Sequence, residues 1–89
     1  MTVKAKSYRY TGTANIGTGD RVLFVSAVQT VGGSAADALT LYADNTGTAA
    51  NKRLVLGANS SIVFSQPLRF ELLRAVFGTG ATEAFIHFV

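Results

Sequence analysis

The side chains that could do acid–base chemistry are few and scattered. The sequence has one histidine, His87, and no cysteine. A histidine can serve as a general base near neutral pH, but nucleophilic catalysis also needs a hydroxyl and a carboxylate that converge on it. The candidates for those two partners are Asp44, Ser60, Ser61 and Ser65. No spacing singles out any of them, so we predict that the chain is not an enzyme.

Two further patterns could hold a ligand. Residues 12–18 have the glycines of a phosphate loop, but Thr18 stands where that motif requires a lysine. Asp37, Asp44 and Asn45 could contribute to a calcium site, which needs about six oxygen ligands. Because the sequence has no acidic cluster, we expect turns in both segments and neither a metal nor a cofactor.

The three tyrosines are the remaining candidates for ligand contacts. Tyr8 and Tyr10 lie beside Arg9, and Tyr42 lies farther along the chain. Tyrosine is common at binding surfaces. Packing at the rim of a core explains these side chains equally well, so both interpretations stay open.

Length and composition indicate one small domain that spans residues 1–89. A chain this short buries only about 60–65% of its unfolded surface and usually needs disulfides, a metal ion or oligomerisation. Without cysteine, and with a single histidine, oligomerisation is the stabilising device that remains. Charged residues make up 15% of the chain, against an ordinary share of about 25%. This deficit indicates that protein covers part of the surface.

Charge and hydropathy also limit the partners. The net charge is +3, but the eight basic residues are scattered and several adjoin acids, as Arg69 adjoins Glu71. We therefore expect no nucleic-acid partner. The amino-terminal residues are polar and alternating, unlike a signal peptide, and no apolar run approaches the roughly 20 residues of a membrane span. We expect synthesis in the cytoplasm and no membrane contact.

Short alternating segments separated by glycine, asparagine and threonine predict an all-β fold of six to seven strands. The predicted strands are residues 3–13, 21–31, 38–43, 52–56, 61–64, 68–77 and 82–89, with turns at 15–20, 44–47, 57–60 and 78–80. Both faces of residues 21–31 are apolar, which is typical of a central strand. We expect the turn at 57–60 to close a hairpin.

In residues 68–77 the alternation of apolar and polar side chains shifts by one residue partway along the segment. A bulge near Glu71 and Leu72 would bring Phe70, Leu73 and Phe77 to one face, and burial of both faces is the alternative. A helix also fits the composition, because good helix formers lie between Pro67 and Gly78. We favour a strand, since residues 82–89 need a hairpin partner.

The final segment alternates up to Val89 and must be tied into a sheet. Its phase turns Ala84, Ile86 and Phe88 toward the core. The opposite side then needs a neighbour, and we predict an interface there and on the preceding arginine-bearing strand. The predicted interface residues are Phe85, His87, Val89, Arg69 and Arg74.

One longer pattern is more specific than these signals. A small-residue loop is followed by a strand and turn, then by a proline, an arginine and a glycine-bounded final strand. The residues that carry it are Leu41, Tyr42, Asp44, Asn45, Leu54, Pro67, Arg69, Phe70, Leu73, Gly78, Gly80 and the strand 84–89. Over roughly residues 20–89 this order resembles small virion proteins of tailed bacteriophages. Leu72 replaces a usual glycine, and the first strand is not matched.

The resemblance implies a β-sandwich or jelly-roll module located in the virion. It implies a capsid decoration (cement) protein that forms a homo-oligomer, specifically a trimer, and binds the major capsid protein or another virion protein. A head-fibre or tail adaptor and a carbohydrate-binding surface module are the alternatives. The resemblance transfers no binding residues.

Overall fold

The computed structural model describes residues 6–34, 36–78 and 83–89, which form one antiparallel sheet. Its strands are β1 (Lys6–Tyr10), β2 (Ala14–Val31), β3 (Leu39–Tyr42), β4 (Lys52–Leu56), β5 (Ser61–Phe77) and β6 (Glu83–Phe88). A single 3₁₀ turn, Ala49–Asn51, precedes β4. The prediction of an all-β chain is confirmed. The strand order is β1-β6-β2-β5-β3-β4.

The two long strands β2 and β5 pair along their lengths and connect two halves of the sheet. In what we call the β1–β6 half, β6 pairs with the second part of β2, and β1 pairs with β6. In the β3–β4 half, β3 pairs with the second part of β5, and β4 pairs with β3. The predicted central position of residues 21–31 is confirmed, because β2 is paired on both sides.

Large bulges interrupt the β2–β5 ladder at two places. Between Thr18 and Leu23, β2 has four residues where β5 has only Glu71. Farther along, β5 has residues 64–67 where β2 has only Ser26. Extra residues bend a strand and increase its twist. Because the extra residues lie on β2 at the first bulge and on β5 at the second, both long strands bend between the two halves.

One hydrophobic core joins the two halves. Its buried members are Val25, Val28, Leu39, Leu41, Leu56, Phe70, Leu73, Ala75, Ala84, Ile86 and Phe88, none more than 8% exposed. The described residues include no α-helix that could cover one face of the sheet. The sheet must therefore curl over its own inner face to remove these side chains from water.

Residues 15–20, predicted to be a turn, belong to β2 instead. The two glycines in this segment serve the first bulge. A Cβ on Gly17 would lie 3.2 Å from the Leu73 backbone nitrogen, and Gly19 has a φ of +96°. The residue types that predicted a turn therefore allow close strand approach and a bulge within a continuous strand.

Residues 61–64 and 68–77, predicted to be separate strands, form the single strand β5. Pro67 lies within it. A proline has no N–H to donate to a ladder and is tolerated at bulges. Here Pro67 falls in residues 64–67, which have no paired partner in β2, so β5 continues without losing a ladder hydrogen bond.

Both predicted hairpins are wrong. β4 and β5 do not pair across the turn at 57–60, because β3 lies between them. β6 pairs with β1 and β2 rather than with β5. Residues 68–77 are nevertheless a strand and not a helix. Parts of two predicted segments, residues 3–5 and 79–82, lie outside the described residues.

The phase of β5 changes so that the predicted side chains face the core, but the bulge that causes the change lies on the neighbouring strand. Phe70 and Leu73 are both buried, and Phe77 packs against the same core. The extra residues of the bulge are on β2, whereas the prediction placed the bulge on β5 near Glu71.

Candidate binding surfaces

The two sides of β6 have the burial that its alternation predicts. Ala84, Ile86 and Phe88 are at most 7% exposed and face the core. Phe85 and His87, on the other side, are only half-buried within the single chain. Val89 follows β6 and is 59% exposed. The outward side of β6 is therefore the side with apolar surface still open.

Cross-strand pairing extends this side over the β1–β6 half. Residues that pair directly share one face. His87 pairs with Ala27, which pairs with Val63, and Val63 is 79% exposed. The Val89 amide donates to the Phe24 carbonyl at 3.0 Å, and the Phe24 side chain is 42% exposed. We call the set Phe24, Val63, Phe85, His87 and Val89 the outer patch.

Ion pairs border the outer patch. Arg69 pairs in register with Phe24 and makes a 3.2 Å salt bridge to Glu71. Arg9, opposite Phe85 on β1, forms an ion pair with Glu83. The structure thus places Arg69 at the border of the patch that contains Phe85, His87 and Val89, and their role as an interface stays a prediction. Charged groups at the rim of an apolar centre are typical of protein interfaces.

Arg74 is not part of this patch. It lies on the portion of β5 that pairs with β3, opposite Tyr42 and Asn15. Its guanidinium donates to the Asn15 side-chain oxygen at 2.8 Å. The first bulge lies between the two arginines, and Arg74 belongs to the part of β5 that pairs with β3, which the sequence pattern of one strand could not show.

Among the described residues, no hydrogen bond joins the His87 imidazole to the carboxylate and hydroxyl groups considered with it. Ser26 donates to the His87 backbone carbonyl at 3.2 Å, which is a contact of the peptide and not of the imidazole. Asp44 lies beyond β3, while His87 lies on β6, three positions away in the strand order. Ser60 donates to the Ala58 carbonyl at 3.0 Å within its own turn.

Asp44 organises the loop between β3 and β4. Its carboxylate accepts from the Thr46, Gly47 and Thr48 amides at 3.1, 2.7 and 3.0 Å, and from the Asn51 side chain at 3.0 Å. This confirms the turn predicted at 44–47. Partial removal from water alone raises the Asp44 pKa, but these hydrogen bonds outweigh that effect and lower it well below its ordinary value of 3.8.

We expect Asp44→Ala to destabilise the fold at neutral pH and to destabilise it less at acid pH. A carboxyl group whose pKa is lower in the folded state stabilises that state fully above the unfolded pKa, here near 3.8. The contribution is lost as pH falls from there toward the lower folded value. Urea unfolding at pH 7 and pH 3 measures the difference between the two proteins. A difference that stays constant or grows on acidification would contradict this role of Asp44.

A groove opens at one end of the outer patch, and two members of the patch also line it. It has a volume of about 520 Å³ and lies between β1, the first bulge of β2 and the end of β6. Tyr8, Tyr10 and Phe88 form its aromatic side, and the Tyr8 and Phe88 rings meet edge to face with centroids 5.9 Å apart. Asp20 and Arg21 provide charged groups on the bulge. Two of the three tyrosines considered as ligand contacts therefore line one groove.

Sequence reasoning missed Val63, Phe24 and the groove. The alternation of Val63 with the half-buried Ile62 and Phe64 could have identified Val63 as outward-facing. Phe24 lies in a continuous apolar run, where no alternation distinguishes the faces. The groove depends on a bulge of four residues, which local residue types do not show.

Comparison with known proteins gives no match to a family model, a curated protein or a solved structure. In the described ranges, no three histidine or acidic side chains are grouped in a way that could hold a metal ion. No helix in the same ranges is long and apolar enough to cross a membrane.

Proposed function

We propose that this chain is a non-enzymatic binding subunit whose outer patch is covered by a neighbouring protein. The observation that carries the proposal is the exposure of large apolar side chains on one face, with Phe24 at 42%, Val63 at 79% and Val89 at 59%. Contiguous apolar surface of this kind is typical of interaction sites. The low charged share of the sequence, 15%, supports the same conclusion.

Burial of this face supplies the binding energy. At about 25 cal/mol per Å² of apolar surface, a few hundred Å² yields several kcal/mol before ordering costs are subtracted. A single such contact is modest. Repetition over a regular array of neighbours would multiply it through avidity.

The particular protein that we propose is a capsid decoration protein of a tailed bacteriophage, located in the virion. The curled sheet would then be a small β-sandwich that assembles as a trimer and binds the major capsid protein. The residue pattern shared with small phage virion proteins supports this assignment, and the outer patch supports an assembled state. A head-fibre or tail adaptor would use the same patch.

We expect Phe85→Asp and Val63→Asp each to convert an oligomer into a soluble monomer that no longer binds capsids. Each change places a charge in an interface that the partner would have to desolvate. Val63 is 79% exposed, so its substitution cannot act through the core. Native mass spectrometry and sedimentation with capsids measure the two effects.

Val55→Asp is the matched control for the oligomer measurement. Val55 is 47% exposed but lies on β4, away from the outer patch. We expect it to leave the oligomer intact. A Phe85→Asp protein that still assembles and binds capsids would overturn the proposal, and a monomeric unmodified chain would overturn its oligomeric part.

The groove favours a second candidate function, carbohydrate binding. A sugar ring has apolar C–H faces and a rim of hydroxyl groups, so it fits a site that combines aromatic rings with hydrogen-bonding groups. Tyr8 is 46% exposed at the groove, which supplies such a ring. Burial, and to a smaller extent Tyr8, raises the pKa of Tyr10, so its hydroxyl remains a donor at neutral pH. Asp20 supplies an acceptor.

Glycan-array binding by the isolated protein tests this candidate. We expect Tyr8→Ala to weaken binding of any glycan found by at least about tenfold. Tyr42→Ala is the control, because Tyr42 lies in the β3–β4 half and does not line the groove. An array without binding, or equal losses in both variants, would reject the candidate.

A further inference from the structure

Positive charge without a carboxylate partner is concentrated in the β3–β4 half. Among the described residues there are two salt bridges, Arg9 with Glu83 and Arg69 with Glu71, and both border the outer patch. In the β3–β4 half, Arg74, Lys52 and Arg53 have no carboxylate oxygen within 4.0 Å in the described part of the chain. These three cations are available to a partner.

Strand register places these groups side by side. Arg74 pairs with Tyr42, and Tyr42 pairs with Lys52, so the three side chains share one face of adjacent strands about 5 Å apart. Arg53 is the extra residue where the β3–β4 register shifts. We call Arg74, Tyr42, Lys52 and Arg53 the basic row.

The arginines of the basic row are held in place. The Asn15 side-chain oxygen accepts from Arg74 at 2.8 Å. One Arg53 nitrogen donates to the Ala50 and Lys52 carbonyls at 3.3 and 3.5 Å, and the other two guanidinium nitrogens have no hydrogen bond within the described residues. A guanidinium that is already oriented loses less side-chain entropy when it binds a carboxylate.

The basic row borders an open strand edge. Among the described strands, β4 pairs with β3 alone, so its other edge has unpaired backbone groups. Val55, near the middle of β4, is 47% exposed. An open edge with backbone donors and acceptors can accept an extended polypeptide as an additional strand.

Charge identifies the chemistry of that polypeptide. The chain has a net charge of +3. Two of its described carboxylates form salt bridges, and amide groups surround that of Asp44. Asp20 and Asp37 are the described carboxylates that remain for a partner. Two such carboxylates are too few to pair with the three cations of the basic row, so a second copy of this chain does not neutralise the row. The partner must supply the negative charge.

A polypeptide fits these features better than a nucleic acid does. Tight duplex binding neutralises about six to ten phosphates, whereas the basic row has three cations. Phosphates also make no use of an unpaired strand edge or of the exposed Val55.

We propose that β4 and the basic row bind an extended acidic segment of a partner protein, which adds to the sheet beside β4. Backbone bonds would hold the segment in register, while its carboxylates contact Lys52, Arg53 and Arg74. The inference rests on the proposed function, in that the chain acts by being bound, and adds the chemistry of one partner.

Fluorescence anisotropy with a labelled peptide of alternating glutamate and valine, about eight residues long, tests the inference on the full chain. We expect saturable binding that weakens with added salt. The Lys52→Gln/Arg53→Gln variant should bind at least about tenfold more weakly. Arg9→Gln/Arg69→Gln removes the same charge from the other half and should change the affinity less than about twofold.

Several results would overturn the inference. Equal losses in both double variants would show general attraction to a cationic protein. Stronger binding of a labelled oligothymidine of equal length, lost in the Lys52/Arg53 variant, would show a nucleic-acid site. If the unmodified chain binds no peptide, the inference is wrong. The cations of β4 would then serve to prevent edge-to-edge aggregation. The oligomer test on Val63→Asp is read separately, so either proposal can fail alone.

Discussion

Phe70→Ala should lower the free energy of unfolding by about 3–5 kcal/mol, the usual range for truncating a buried phenylalanine. Phe70 is 1% exposed and pairs with Leu23, where the β2–β5 ladder resumes after its first bulge. Strands that bend at this point cannot easily collapse into the space left by the ring. For a domain with a total stability of about 5–15 kcal/mol, this loss removes a large fraction of the total when the stability lies at the lower end of that range.

Urea denaturation followed by far-UV circular dichroism measures this effect. Val55→Ala is the control, because Val55 is 47% exposed and surface substitutions usually stay within about 0.5 kcal/mol. If Phe70→Ala does not fold, Phe70→Leu keeps most of the volume and should lose less than about 1.5 kcal/mol. A Phe70→Ala protein as stable as the control would show that this part of the core is not packed as described.

Gly78→Ala should have the second-largest effect, a loss of about 1–3 kcal/mol from overpacking. A Cβ on Gly78 would lie 2.3 Å from the Asp37 carbonyl oxygen. That oxygen belongs to the backbone and cannot rotate away. The Gly78 amide also donates to the Ala38 carbonyl at 2.8 Å, so relieving the clash would strain this hydrogen bond.

Gly12→Ala is the matched control, because nothing lies within 4 Å of a Cβ at that position. Alanine restricts the unfolded chain, so this variant should be as stable as the parent or more stable by up to about 1 kcal/mol. The two glycine substitutions should therefore shift the melting temperature in opposite directions or by clearly different amounts. Equal downward shifts would contradict the contact between Gly78 and Asp37.

The alternation of apolar and polar residues predicts where short strands lie, but it does not predict which strands pair with each other. The strands at 38–43 and 52–56 are found almost as predicted, as β3 and β4, because side-chain period follows directly from strand geometry. Pairing depends on contacts between distant residues. The turn at 57–60 has hairpin residues, yet it is bound to β2, where Ser60 accepts from the Thr30 amide at 2.8 Å.

Part of the candidate surface could likewise be predicted from the sequence, and part of it could not. The outward residues of β6 follow from its phase, and the structure places Phe85, His87 and Val89 on that side. The separation of Arg74 from Arg69 could not be predicted, because it depends on the bulge opposite Glu71 and on which strand pairs with each part of β5. The open edge of β4 was equally hidden, since only the full strand order shows which strands are terminal.

The position of β6 between β1 and β2 has a consequence for synthesis of the protein. β1 is made before β6, which is its one neighbour among the described strands, so β1 cannot pair with that neighbour until residues 83–88 have left the ribosome. The inner face of β2 stays open for the same period. Non-local pairing of this kind slows folding and exposes strand edges to aggregation. We therefore expect the sheet to close only after β6 has been made, and nascent chains stalled before β6 to be captured by chaperones.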